Sequence, residues 1–111
     1  MSAGKNDWTV ETLMENLRDA SQVVRLHAAT VLGSMNDEAE AAVPTLIEML
    51  QQGDVHDRRL AALTLGEIGP VAEEAISALL EAADDGDEGV AELAIWALEQ
   101  IDPADDEAEA A

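Results

Sequence analysis

Apolar positions recur along this chain at three- and four-residue intervals, and the stretches they mark repeat. Val24, Ala28, Val31, Leu32 and Met35 form one such set, with the spacing that lines one face of a helix. Val43, Leu46, Ile47 and Leu50 form a second, Ala61, Leu65 and Ile68 a third, and Ile76, Leu79, Leu80 and Ala83 a fourth. With the flanking segments, the pattern predicts six helices, at about 8–18, 21–34, 38–51, 55–67, 71–83 and 88–101. Gly69-Pro70 stops the fourth, because glycine accepts backbone angles closed to other residues and proline cannot continue a helix. Gly53-Asp54 and Gly86-Asp87 mark turns. Pro44 fits the first turn of the third helix, and Asp37 with Glu40 is expected to cap it.

Sliding the chain by 33 residues lays 21–54 over 54–87, with twelve identities in 34 positions. Arg25/Arg58, Ala28/Ala61, Ala29/Ala62, Leu32/Leu65, Gly33/Gly66, Leu46/Leu79, Glu48/Glu81 and Asp54/Asp87 are among them. Val10, Leu13, Met14 and Leu17 match the second helix of a repeat, and Val90, Ala94, Leu98, Ile101 and Pro103 match the first. The chain therefore reads as half a repeat, two full repeats and another half. Stacked repeats of this length bury a continuous core that no single repeat could. Small Ala28-Ala29 and Ala61-Ala62 pairs let neighbouring helices approach closely.

The segments VRLHAATVLGSM, AAVPTLIEML and RRLAALTLGEIG resemble the HEAT-like repeats of the phycocyanobilin-lyase group. The resemblance covers about residues 10–103. It implies an all-α, right-handed solenoid of helical hairpins whose second helices line a concave face. Leu26-His27-Ala28-Ala29 resembles an ankyrin motif, but no Thr-Pro precedes it and the next copy has Leu60 in place of His27. The domain is expected to span 7–103, followed by an acidic, disordered tail at 104–111.

Charge narrows the functions. The 111 residues carry 25 Asp plus Glu and 5 Lys plus Arg, a net charge of -20. Nucleic acid is excluded as a partner, since binding it needs a positive patch that releases counterions. No apolar run approaches the roughly 18 residues of a membrane span, and MSAGKNDW lacks a signal peptide's apolar core. A cytoplasmic location is expected, with no membrane partner. The acidity fits either adaptation to molar salt or a basic partner. Cysteine is absent, so thiolate metal sites and cysteine nucleophiles are excluded.

Candidate chemistry is sparse. His27 and His56 occupy different repeat positions, so a metal is not expected. Asp84-Asp85-Gly86-Asp87-Glu88-Gly89 fails the calcium-loop spacing, because its twelfth residue is Ile95. No catalytic or cofactor-binding residue is assigned. Arg25 and Arg58 are read as structural, with Asp54 and Asp87 as expected acceptors.

Surface candidates are clearer. At period 33, Glu15, Glu48 and Glu81 form a column on the second helices, with Thr45 and Met49 beside it. That column suits a basic, partly apolar partner. Trp96 and Ile95 replace smaller residues of the earlier copies. They either fold over Ala82 and Ala83 to close the core or form a patch that docks a partner or a second copy of the chain. Trp8 poses the same question at the other end. The expected function is a non-enzymatic protein-interaction or scaffold module. An accessory subunit of a chromophore-attaching lyase or isomerase, implied by the resemblance, and a self-associating unit that dimerises through its terminal helices are the alternatives.

Overall fold

Helix initiation is set by a side-chain oxygen at one repeat position. In a computed structural model, which describes residues 9–102, Ser21, Asp54 and Asp87 have extended backbones. Each accepts a hydrogen bond from the N–H three residues on, at Val24, Asp57 and Val90. The side-chain oxygen satisfies one of the four amides that a helix start leaves unpaired. These caps open three 14-residue helices, α2 (Gln22–Met35), α4 (Val55–Ile68) and α6 (Glu88–Ile101). Thr9 does the same for α1 (Val10–Asn16), accepting from Thr12.

The first helices end at a second repeated position. Asn36 (φ 52°) and Gly69 (φ 91°) are the residues with positive φ among those described. Glycine suffers no Cβ clash there, and Asn is among the side chains that tolerate the region best. The Asn36 amide also donates to the Glu67 carbonyl at 3.1 Å, tying the end of α2 to the last turn of α4.

The second helices, α3 (Val43–Gln52) and α5 (Ile76–Ala82), start later than the expected residues 38 and 71. Asn36–Ala42 and Pro70–Ala75 are 3-10 turns instead. Their buried alanines, Ala39/Ala42 and Ala72/Ala75, explain the difference. Residues three apart eclipse one another on a 3-10 helix, so two methyl groups face the core in one short turn. The expected cap from Asp37 and Glu40 does not form, because α3 starts directly from this turn with Ala42 at its cap and no side-chain bond. Pro44 does lie in the first turn of α3.

The described residues contain no strand. Helices α2, α4 and α6 pack side by side as one layer, and α1, α3 and α5 form the other, joined through α1·α2, α3·α4 and α5·α6 contacts. This is the α-solenoid of helical hairpins that the repeat pattern predicts. Between the layers lie Leu13, Leu17, Leu32, Leu46, Leu65, Ile68, Leu79 and Val90, all almost fully buried. Such a core is stabilised chiefly by removal of aliphatic surface from water, at roughly 25 cal/mol per Å².

Packing within the first layer depends on small side chains. Ala28, Ala29, Ala61 and Ala62 are fully buried between helices. A Cβ on Gly66 would lie 2.8 Å from Trp96 Cε3 and 3.0 Å from the Ala97 backbone. Helix propensity alone favours alanine over glycine by about 1 kcal/mol. At Gly66 the sign should reverse, because overpacking typically costs about 1–3 kcal/mol. Urea denaturation should therefore find Gly66→Ala less stable than the parent. Gly86→Ala, where a Cβ meets open space, should stay close to the parent. Equal stability of all three proteins would contradict the close packing of α4 on α6.

Candidate interaction surfaces

The arginines lock the stack. Arg25 donates to Asp57 at 3.0 Å and to the Asp19 and Ala20 carbonyls at 2.8 and 3.1 Å. It thus joins the turn before its own helix to the first turn of the next. Arg58, at the same repeat position, holds Asp85 through two bonds of 3.0 and 3.2 Å and the Gly53 carbonyl at 2.9 Å. The structural reading of both arginines stands, but their acceptors differ from the expected pair. Asp54 and Asp87 are occupied as helix caps, and the carboxylates within reach of the guanidinium groups are those of Asp57 and Asp85. Arg59 takes Asp87 instead, with two bonds of 2.9 Å.

Asp85 and Asp87 are correspondingly acidic. The bond from Arg58, with a second from the Asp87 N–H, holds the Asp85 carboxyl below the usual carboxylate range. The bond from Arg59, reinforced by the Val90 N–H, holds Asp87 down at about 2. Both groups are therefore ionised whenever the protein is near neutral pH, and the turn before α6 is fastened to α4 by paired charges.

The glutamate column lies on the second-helix layer. Glu15 and Glu81 are exposed, and Glu48 is half-buried. Arg18 meets Glu48 at 2.6 Å, with both side chains partly in solvent. No other cation pairs with the column among the described residues. Its expected neighbours fare differently. Met49 is half-buried against the core. Thr45 is 5% exposed and cannot contact a partner, because its helix face turns further inward than the glutamates beside it.

At the last helix the two bulky residues separate. Trp96 is half-buried and its ring covers Gly66 of α4. Closure over Ala82 and Ala83 is one of the two alternatives; the ring closes instead over the first-helix layer, where the missing Cβ of Gly66 leaves space for it. Ile95 remains 49% exposed. It occupies the repeat position of Ala29 and Ala62, which the following helix covers completely. Trp8 and the 104–111 tail lie outside the described residues.

A further surface escaped the sequence reading. On the first-helix layer, Val23 and Leu26 of α2, Leu60 and Leu63 of α4 and Leu93 of α6 line an open, mainly apolar groove of about 370 Å³, together with His56, Asp57 and Arg59. Val23 is 74% and Leu26 52% exposed. The repeat columns His27/Leu60/Leu93 and Thr30/Leu63/Trp96 carried the signal: each turns apolar in its later copies at a position outside the buried face.

Among the described residues no group of three or more His, Cys, Asp or Glu is placed to hold a metal. No described helix is long and apolar enough to cross a membrane.

The stacked two-layer arrangement of helical hairpins defines the class as an α-solenoid repeat protein. The sequence pattern of HEAT repeats matches residues 10–107, and the chain belongs to that family. No curated protein matches it.

Asp87 offers a test of the charge lock. Its carboxyl falls from an ordinary value near 3.8 to about 2 on folding. The stability it contributes is thus complete above its unfolded value and is lost as pH falls through about 2. Asp87→Ser keeps a capping oxygen, as Ser21 does, but loses the Arg59 pair. The variant should have a lower urea midpoint at neutral pH, and the gap to the parent should close between about pH 4 and about pH 2. Parallel midpoints across that range would mean the pair contributes nothing.

Proposed function

We propose that this chain is a non-enzymatic protein-interaction module that holds a basic partner segment along Glu15, Glu48 and Glu81. The family is broadly one of protein interaction and scaffolding, and the column is its acidic contact here. The observation that carries the reading is the Arg18–Glu48 pair. One glutamate of the column already takes a guanidinium, while Glu15 and Glu81 on either side stay exposed to solvent. Packed helices lie about 8–10 Å apart. A partner presenting cations at about that spacing would engage two or three glutamates at once. Met49 supplies a partly apolar contact beside Glu48.

Magnitudes limit the strength of such binding. Exposed ion pairs contribute roughly 0.2–1 kcal/mol each. The column therefore gives a modest, salt-sensitive affinity, suited to a reversible contact. Its reach is enlarged by the chain's overall charge of -20, which steers a basic partner from a distance at low salt.

An arginine-rich peptide is a suitable probe. Replacing Glu15 and Glu81 by Gln should weaken its binding about two- to thirtyfold at low salt, from two lost pairs of that size. Fluorescence anisotropy would measure it. Unchanged affinity would show that the peptide responds to net charge and not to the column.

A further inference from the structure

The groove on the first-helix layer is separate from the acidic column, on the opposite layer of the solenoid. From its shape and charge we infer that it binds an amphipathic helix of a partner protein, with the apolar stripe of that helix in the groove and Lys or Arg residues along its edges.

Three observations carry this. The groove is apolar and open, yet Val23 and Leu26 stand largely in solvent. Isolated exposed apolar residues need no explanation, but a contiguous set across three helices marks an interaction site. Secondly, the set is spaced for a helix. Val23/Leu26 and Leu60/Leu63 are each one turn apart along neighbouring helices, so the floor between them parallels the helix axes. Anchors at intervals of three, four and seven residues on a partner helix match such a floor.

Thirdly, charge selects the occupant. Arg59 is the cation that lines the groove, and Asp87 already answers it with two bonds. Asp57, which Arg25 holds, also lines the groove, and exposed Glu92 stands on α6 beside Leu93, at the repeat position of Leu26 and Arg59. The edges are therefore net negative, on a chain of charge -20. A second copy of the chain would bring like charge to like charge. A basic amphipathic helix brings the opposite charge and covers the leucines.

The test uses the full chain and two synthetic helices of about four turns. Both carry Leu at intervals of three, four and seven, and their remaining positions are all Lys in one and all Glu in the other. The Leu/Lys helix should bind and shift the methyl resonances of Val23, Leu26, Leu60 and Leu63, and the Leu/Glu helix should not. The charge-neutral pair Val23→Thr with Leu26→Gln alters exposed positions only, so the fold is retained, which circular dichroism would verify. That variant should lose at least about fivefold in affinity at half-molar salt, where simple charge attraction is screened. Glu15→Gln with Glu81→Gln should leave these methyl shifts unchanged, so a failure of the column and a failure of the groove are distinguishable. Equal affinity of the groove variant, or methyl shifts confined to α1, α3 and α5, would overturn the assignment. So would self-association of the chain that the groove variant abolishes, which would make a second copy the occupant.

Discussion

Close stacking of one first helix on the next is the constraint on which the rest of this structure depends. Alanine at 28, 29, 61 and 62 and glycine at 66 leave room for the neighbouring helix. Dispersion falls off steeply with distance, so a gap of even half an ångström forfeits much of it. A chain with 21 Ala and two aromatic residues cannot fill a wide interior. It can fill a narrow one, and the core of Leu, Ile, Val and Ala between the two layers is of that kind. The last helix departs from the pattern at the same positions. Ile95 stands where Ala29 and Ala62 stood, Glu99 where Gly33 and Gly66 stood, and Ala91 where Arg25 and Arg58 stood. The stacking surface used twice by the repeat is therefore not presented a third time.

Charge does two separate jobs. In the turns it is local and paired: Asp57, Asp85 and Asp87 each take an arginine from the first helix before them. The same Asp85 and Asp87 accept backbone amides, so each carboxylate holds a turn and a neighbouring helix together. Elsewhere among the described residues the carboxylates are mostly exposed and outside any ion pair. Those of the second-helix layer form a column, and Glu92 stands beside Leu93 of the apolar groove. The two layers thus carry faces of different character, one with an acidic column and one with an apolar groove.

Much of the fold was legible because its signals are local. The turns at Gly53-Asp54 and Gly86-Asp87, Gly69 as a stop and the leucine periodicity each act within one turn of the chain. The 3-10 turns were not legible as such, since Ala39 and Ala42 stand at a spacing an α-helix also tolerates. The acceptors of Arg25 and Arg58 were misread because Asp54 and Asp87 are equivalent by repeat, whereas reach is decided by how the turns fold in space. Thr45 looked accessible beside Glu48, but the inward limit of a helix face depends on how tightly its neighbour packs. The groove went unseen for a related reason: Leu60, Leu63 and Leu93 look like core residues until the buried face is known to lie on Ala61, Ala62 and Leu65.

Trp96 joins these points, because its ring reports directly where the last helix stacks. Nuclear Overhauser contacts from the Trp96 ring protons settle its position. The structure predicts contacts to the Gly66 α-protons, with the ring seated where glycine leaves out a side chain. Contacts to the Ala82 and Ala83 methyl groups, with none to Gly66, would contradict the small-residue stacking on which this account rests.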